Sequence, residues 1–121
     1  MTAGIIAKYS KNKNHIDRIM KKDRPDDIME ILHSGVKTMD HIEHALNHEN
    51  GWVRDTAASH PKLQKHHLTK LLNDKDWYVR LTAMHHNKID SDHVKKAMDD
   101  PNNDVRAVAK DRIRKKNYIR V

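Results

Sequence analysis

Asn73-Asp74-Lys75-Asp76-Trp77-Tyr78-Val79-Arg80-Leu81-Thr82-Ala83 is the stretch whose reading decides the fold. Asp76 is a residue type whose side chain accepts the free N–H groups of a starting helix. Val79 and Ala83, four residues apart, then share one face of that helix. The same pattern returns at a step of 26 residues on either side, as Val53-Arg54 with Ala57 and as Val105-Arg106 with Ala109. Asn50, Asp76 and Asn102 keep that step at the cap. So do Ile42, Leu68 and Val94, then Leu46, Leu72 and Met98, and finally His41, His67 and His93. Six registers holding one spacing through three copies form an internal repeat.

Each copy predicts two short helices. Ahead of the cap, Ile42/Ala45/Leu46, Leu68/Leu71/Leu72 and Val94/Ala97/Met98 make i, i+3, i+4 apolar stripes on a helix of roughly 8–11 residues. Behind it, the Val and Ala columns mark the second helix, and the small Ala permits close approach of a neighbour. The repeats are expected over 38–61, 62–87 and 88–116, with a basic tail at 117–121. A degenerate fourth copy is expected over 15–37. There His15, Ile16, Ile19 and Met20 fall on the first-helix columns, and Pro25-Asp26-Asp27 starts the second helix. Ile28, Ile31 and Leu32 form its buried stripe and Gly35 its stop. Residues 1–14 read as a basic N-terminal segment ahead of a single repeat domain, 15–121.

Composition agrees with a thin, all-α stack. Of the 121 residues 36% are hydrophobic and 34% charged, and Phe is absent. Layers that each bury only a seam against their neighbours need less apolar residue than a sphere does. Three Gly and three Pro suit helices on short connections. The lack of Cys excludes disulfides and thiolate metal sites and suits a reducing compartment. No apolar run approaches the roughly 20 residues that cross a bilayer, and no signal segment opens the chain. A soluble, cytoplasmic protein without membrane contact is expected.

The run of apolar helix, Asp-x-x-x-x-Val-Arg-x-x-Ala and next helix resembles HEAT-like repeats. In its short period it is also similar to the leucine-rich-repeat variant. The resemblance covers 38–116 well and 15–37 loosely. It implies a short right-handed α-solenoid of three to four helix pairs. It also implies a hydrogen-bonded ladder between units, in which an Asp six residues before the Arg takes part. Asp74 with Arg80 and Asp100 with Arg106 have that spacing, whereas His48 stands in the Asp position before Arg54. These residues are therefore expected to be structural.

Catalytic and metal chemistry find little support. His41, His44 and His48 follow i, i+3, i+7 spacing, with His44 and His48 on one face. The periodic histidines, His15, His41, His67 and His93, would lie roughly 10 Å apart in stacked units. Zinc–nitrogen bonds of about 2 Å cannot join them, so they are expected near helix starts. No metal site and no cofactor are expected. Some HEAT-like proteins are DNA glycosylases that use aromatics and an Asp around a damaged base, and Trp52 with Asp55 is similar in kind. Three repeats leave little room to enclose a nucleotide, and packing at a seam accounts for the indoles. Phosphate loop, nucleophile elbow and His-Glu-x-x-His motif are all missing. The chain is not expected to be an enzyme.

Charge points instead to binding. The formal net charge is +7, unevenly placed. Residues 1–24 hold seven Lys/Arg against two Asp, 25–104 hold ten against fourteen acids, and 105–121 hold seven against one Asp. Lys110, Arg112, Arg114, Lys115, Lys116 and Arg120 make the last segment the candidate site for an acidic protein surface or phosphates. A non-catalytic adaptor or inhibitor that presents helical repeats to a partner protein is the expected function, with a monomer favoured. The alternative is a nucleic-acid-binding protein whose basic ends touch phosphates without reading bases. Protonation of several of the eleven His is expected to tighten either anionic contact.

Overall fold

The computed structural model describes residues 13–34 and 38–121, and within them the chain is all-helical. Eight helices occur there and no strand. The helices are α1 (Lys13–Lys22), α2 (Pro25–His33), α3 (Met39–Leu46), α4 (Gly51–Ala58), α5 (Lys65–Leu71), α6 (Trp77–Met84), α7 (Ser91–Ala97) and α8 (Asn103–Lys115). None is long and apolar enough to cross a membrane. The chain parts into two compact units, one ending at Ala57 and one beginning at Ala58.

In the first unit α1 packs on α2 and α2 on α3. Ile16, Ile19 and Met20 of α1 are buried, as are Ile28, Ile31 and Leu32 of α2, and Ile42, Ala45 and Leu46 of α3. These are the i, i+3, i+4 stripes of the sequence. Asp23 ends α1 in the left-handed region at φ 57°, and its N–H donates to Met20 O at 3.0 Å. The chain reverses there, and Pro25 enters the first turn of α2 with Asp26 and Asp27 beside it. Proline loses nothing at that position and the acids face the positive helix end. Gly35, the expected stop of α2, lies outside the described residues.

In the second unit α5 packs on α6, α6 on α7, and α8 on both α6 and α7. Leu63, Leu68, Met84, Ile89 and Val94 are fully buried beneath them. Val53, Val79 and Val105 are each 0% exposed, and so are Ala57, Ala83 and Ala109. Each such valine contributes about 1.5–3 kcal/mol by leaving water. The columns thin out at α7 and α8, where Met98 and Val108 are only half-buried.

The caps differ from expectation in one respect. Asn102 accepts from the N–H groups of Asp104 (2.8 Å) and Val105 (3.1 Å), and Asn50 accepts from Trp52 N–H at 2.9 Å. Asp76 stands at the start of α6 with no capping side-chain bond. Its N–H instead donates to Asp74 Oδ1 at 2.9 Å. The carboxylate two residues upstream holds the turn before the helix begins.

Residues 117–121 are not a loose tail. Ile119 N–H donates to Ile89 O and Ser91 N–H donates to Ile119 O, both at 2.8 Å. This isolated parallel bridge fastens the last residues to the segment that enters α7.

Candidate interaction surface

The expected cationic site divides once side chains are placed. Lys110, Arg114, Lys115, Lys116 and Arg120 are exposed, and Arg112 is not. At 9% exposure Arg112 lies on the apolar side of α8, and its Nη1 donates to Asn117 O at 3.1 Å. Burial pushes its guanidinium below the usual arginine range. The reason is the helix end. Lys116 takes a left-handed conformation, φ 51°. Lys116 N–H returns to Ile113 O and Asn117 N–H to Arg112 O, closing a Schellman turn. That turn swings the Asn117 carbonyl over the Arg112 head group, so the expectation of an available Arg112 is corrected.

The exposed cations are partly matched by their own helix. Asp111 receives Arg114 Nη2 at 2.6 Å and Lys115 Nζ at 3.2 Å. Arg114 first and Lys115 second hold its carboxyl below the ordinary range. Such exposed pairs are screened and loosely held, so an acidic partner can compete for either cation. Apolar groups lie among them. Ile113 is 40% exposed between Lys110 and Arg114 at i, i+3, i+4 spacing, and Ile119 and Val121 are 50% and 75% exposed. Trp52 and Trp77, read as seam packing, are 62% and 44% exposed. Trp77 and its neighbour Tyr78 meet edge to face, with ring centroids 5.9 Å apart.

The arginine column bonds to the backbone. Arg54, Arg80 and Arg106 each donate from Nη1 to the carbonyl six residues back: His48 at 2.8 Å, Asp74 at 2.7 Å and Asp100 at 2.5 Å. Arg106 also reaches Asn103 Oδ1. The Asp side chain at that spacing turns instead to the backbone. Asp100 Oδ1 accepts Asn102 N–H at 2.9 Å, as Asp74 does for Asp76. Asp100 is also gripped by Arg80, from Nε to Oδ2 at 2.9 Å and from Nη2 to Oδ1 at 3.1 Å. Arg80 therefore couples two successive turns.

Histidines do much of the local bonding. His41, His67 and His93 occupy the third position of α3, α5 and α7. Their Nδ1 atoms accept the N–H of the cap residues Thr38 (3.0 Å), Gln64 (2.9 Å) and Asp90 (3.1 Å). This is a capping box with imidazole in place of the usual Glu or Gln. The other ring nitrogen reaches back across the helix pair. His41 Nε2 meets Asp17 Oδ1 at 2.6 Å, and His93 Nε2 meets Thr69 Oγ1 at 2.9 Å. His48, in the place of Asp, accepts Asn50 N–H on Nδ1 at 2.9 Å. Its Nε2 lies 3.1 Å from Asp23 Oδ1, which also accepts His44 Nε2–H at 2.9 Å. The His44 hydrogen bond is the main cause holding the Asp23 carboxyl below its ordinary range. His41 is thus bound to a helix start and a carboxylate, while His44 and His48 converge on Asp23. Among the described residues no three His, Asp or Glu are placed to hold a metal ion.

Sequence reasoning placed the periodic histidines near helix starts but missed their cap partners. Thr38, Gln64 and Asp90 keep the same 26-residue step. They escaped notice because hydroxyl, amide and carboxylate look unrelated as letters. Comparison of the chain with protein-family models, with curated proteins and with solved structures returns no match.

Proposed function

We propose that this chain is a non-catalytic binding module, a right-handed HEAT-like solenoid of helix pairs that docks on an acidic partner protein. The equivalent burial of Val53, Val79 and Val105 supports the repeat reading, as do the shared Arg-to-carbonyl bonds of Arg54, Arg80 and Arg106. On this reading residues 15–121 form one stack, and the lack of cysteine suits work in the cytoplasm. Stacked units of this kind bury their faces on one another and leave an end and a long side for partners.

One observation carries the choice of partner. Ile113 stands exposed between Lys110 and Arg114 on α8. A mixed apolar and cationic surface suits a protein, where a desolvated anchor is ringed by complementary charge. A phosphate backbone would gain nothing from Ile113. The test is affinity capture from the native cell, with and without nuclease, using wild type and a Lys110→Glu/Ile113→Asp/Arg114→Glu variant. A protein retained after nuclease and lost from the variant is the expected result. Capture abolished by nuclease, with generic DNA or RNA affinity falling steeply as salt rises, would replace this reading with the nucleic-acid one.

A further inference from the structure

His86 and His93, two of the three buried imidazoles in the second unit, use both ring nitrogens on fixed partners. His86 is 6% exposed and His93 5%. His86 Nδ1 accepts Lys88 N–H at 3.1 Å, and its Nε2–H donates to His60 O at 2.8 Å. His93 Nδ1 accepts Asp90 N–H at 3.1 Å, and its Nε2 pairs with the Thr69 hydroxyl at 2.9 Å. A backbone N–H can only donate, so Nδ1 must be bare and the proton must lie on Nε2. Both rings are fixed in one neutral tautomer.

Each ring ties together segments far apart in sequence. His86 joins the turn before α7 to the turn before α5, helped by Lys88 Nζ on Leu63 O at 2.8 Å. His93 caps α7 and binds it to α5 through Thr69. We propose that His93 is a proton-operated latch, closed while its ring is neutral and released when it takes up a second proton, whereas His86 is a fixed stitch.

Chemistry at His93 sets the response. A proton on its Nδ1 places N–H against N–H and leaves the buried Asp90 amide without that acceptor. The charged groups around the ring are mixed. Asp90 and Asp92 favour a proton, while Lys65 and Lys96 oppose it. Burial is the largest influence and sets the outcome, so His93 is held below the ordinary histidine value of 6.5. The sign follows. An unfolded chain binds that proton near its ordinary value and the folded chain resists, so stability is complete above 6.5 and is lost as pH falls below it. Asp90, for which burial is outweighed by Lys65 and the His93 N–H, lies below 3.8. It stays ionised throughout, which separates the latch from acid titration of carboxylates.

The experiment follows urea unfolding of the full chain at several pH values from 7.5 to 5.0, for wild type and His93→Gln. The replacement keeps an acceptor for the backbone N–H and carries no titrating group. Wild type should lose folding equilibrium constant with falling pH, by up to about tenfold per pH unit for the one blocked proton, and the variant should lose distinctly less. The remaining histidines are common to both proteins and cancel. Equal slopes, or a flat wild type, would overturn the latch. Should the variant not fold at pH 7.5, imidazole nitrogen NMR of wild type decides. An Nε2–H tautomer at His93, with the Asp90 amide signal shifting on acidification, supports the latch. An Nδ1–H ring at that position overturns it.

Discussion

The unit ending at Ala57 and the unit beginning at Ala58 solve the same turn with different chemistry. In the first, the imidazole of His48 accepts Asn50 N–H; in the second, the carboxylates of Asp74 and Asp100 accept the N–H of Asp76 and Asn102. All three bonds measure 2.9 Å. All three residues also offer their carbonyl to an arginine six residues on. The turn thus requires an acceptor at a fixed reach and is indifferent to its charge. The remaining valence of the acceptor is where charge matters. Asp100 spends it on the Arg80 guanidinium, whereas His48 turns its second nitrogen toward Asp23.

Breaking the two versions should cost different amounts. Arg80 and Asp100 side chains are 12% and 8% exposed, so Asp100→Ala deprives a largely buried guanidinium of its carboxylate and leaves it the Asp74 carbonyl. A loss of about 3–5 kcal/mol is expected in urea denaturation. His48→Ala removes one backbone acceptor without stranding an arginine, and about 1–3 kcal/mol is expected. His48→Asn keeps an acceptor at nearly the same reach and should recover most of that loss. If alanine and asparagine at position 48 prove equally damaging, the turn bond is not what His48 contributes.

The two left-handed helix ends sharpen the contrast. Lys116 and Asp23 both have positive φ, 51° and 57°. That conformation costs a side-chain-bearing residue about 1 kcal/mol relative to glycine. Lys116 is exposed, and glycine there should raise stability by up to about 1 kcal/mol, read as a higher urea midpoint. Asp23→Gly gains the same backbone relief but forfeits the carboxylate on which His44 and His48 converge, so no net gain is expected. The smallest effect belongs to Asp111→Asn. Its partners Arg114 and Lys115 are exposed, and the midpoint should not move, while the capture described above should strengthen as two cations are released.

Much of the helical plan was legible in the sequence because burial leaves a period. Val79, Ala83 and their counterparts recur at one step, and a small or branched apolar letter at each is visible without coordinates. The histidines at 41, 67 and 93 were placed near helix starts by the same periodicity. Bonds made by the backbone leave no such mark. A charged letter on the apolar side of a helix reads as the end of the buried seam, which puts Arg112 at the surface. The Schellman turn at Lys116 instead brings a carbonyl to it, and the side chain remains inside. The pairing of Ile119 with Ile89 and Ser91 was equally hidden, since main-chain donors belong to every residue type. The bond of His86 was hidden because its partner is a carbonyl 26 residues away, not a second side chain.

That stitch at Ile119 also fixes how the neighbouring positions behave as reporters. Main-chain bonds on both sides of Ile119, and Val121 N–H within 3.3 Å of Ser91 Oγ, leave little freedom at position 120. A nitroxide attached there should tumble with the whole molecule. Its spectrum would then register a partner seating beside α8 as an abrupt stiffening of the probe's own linker.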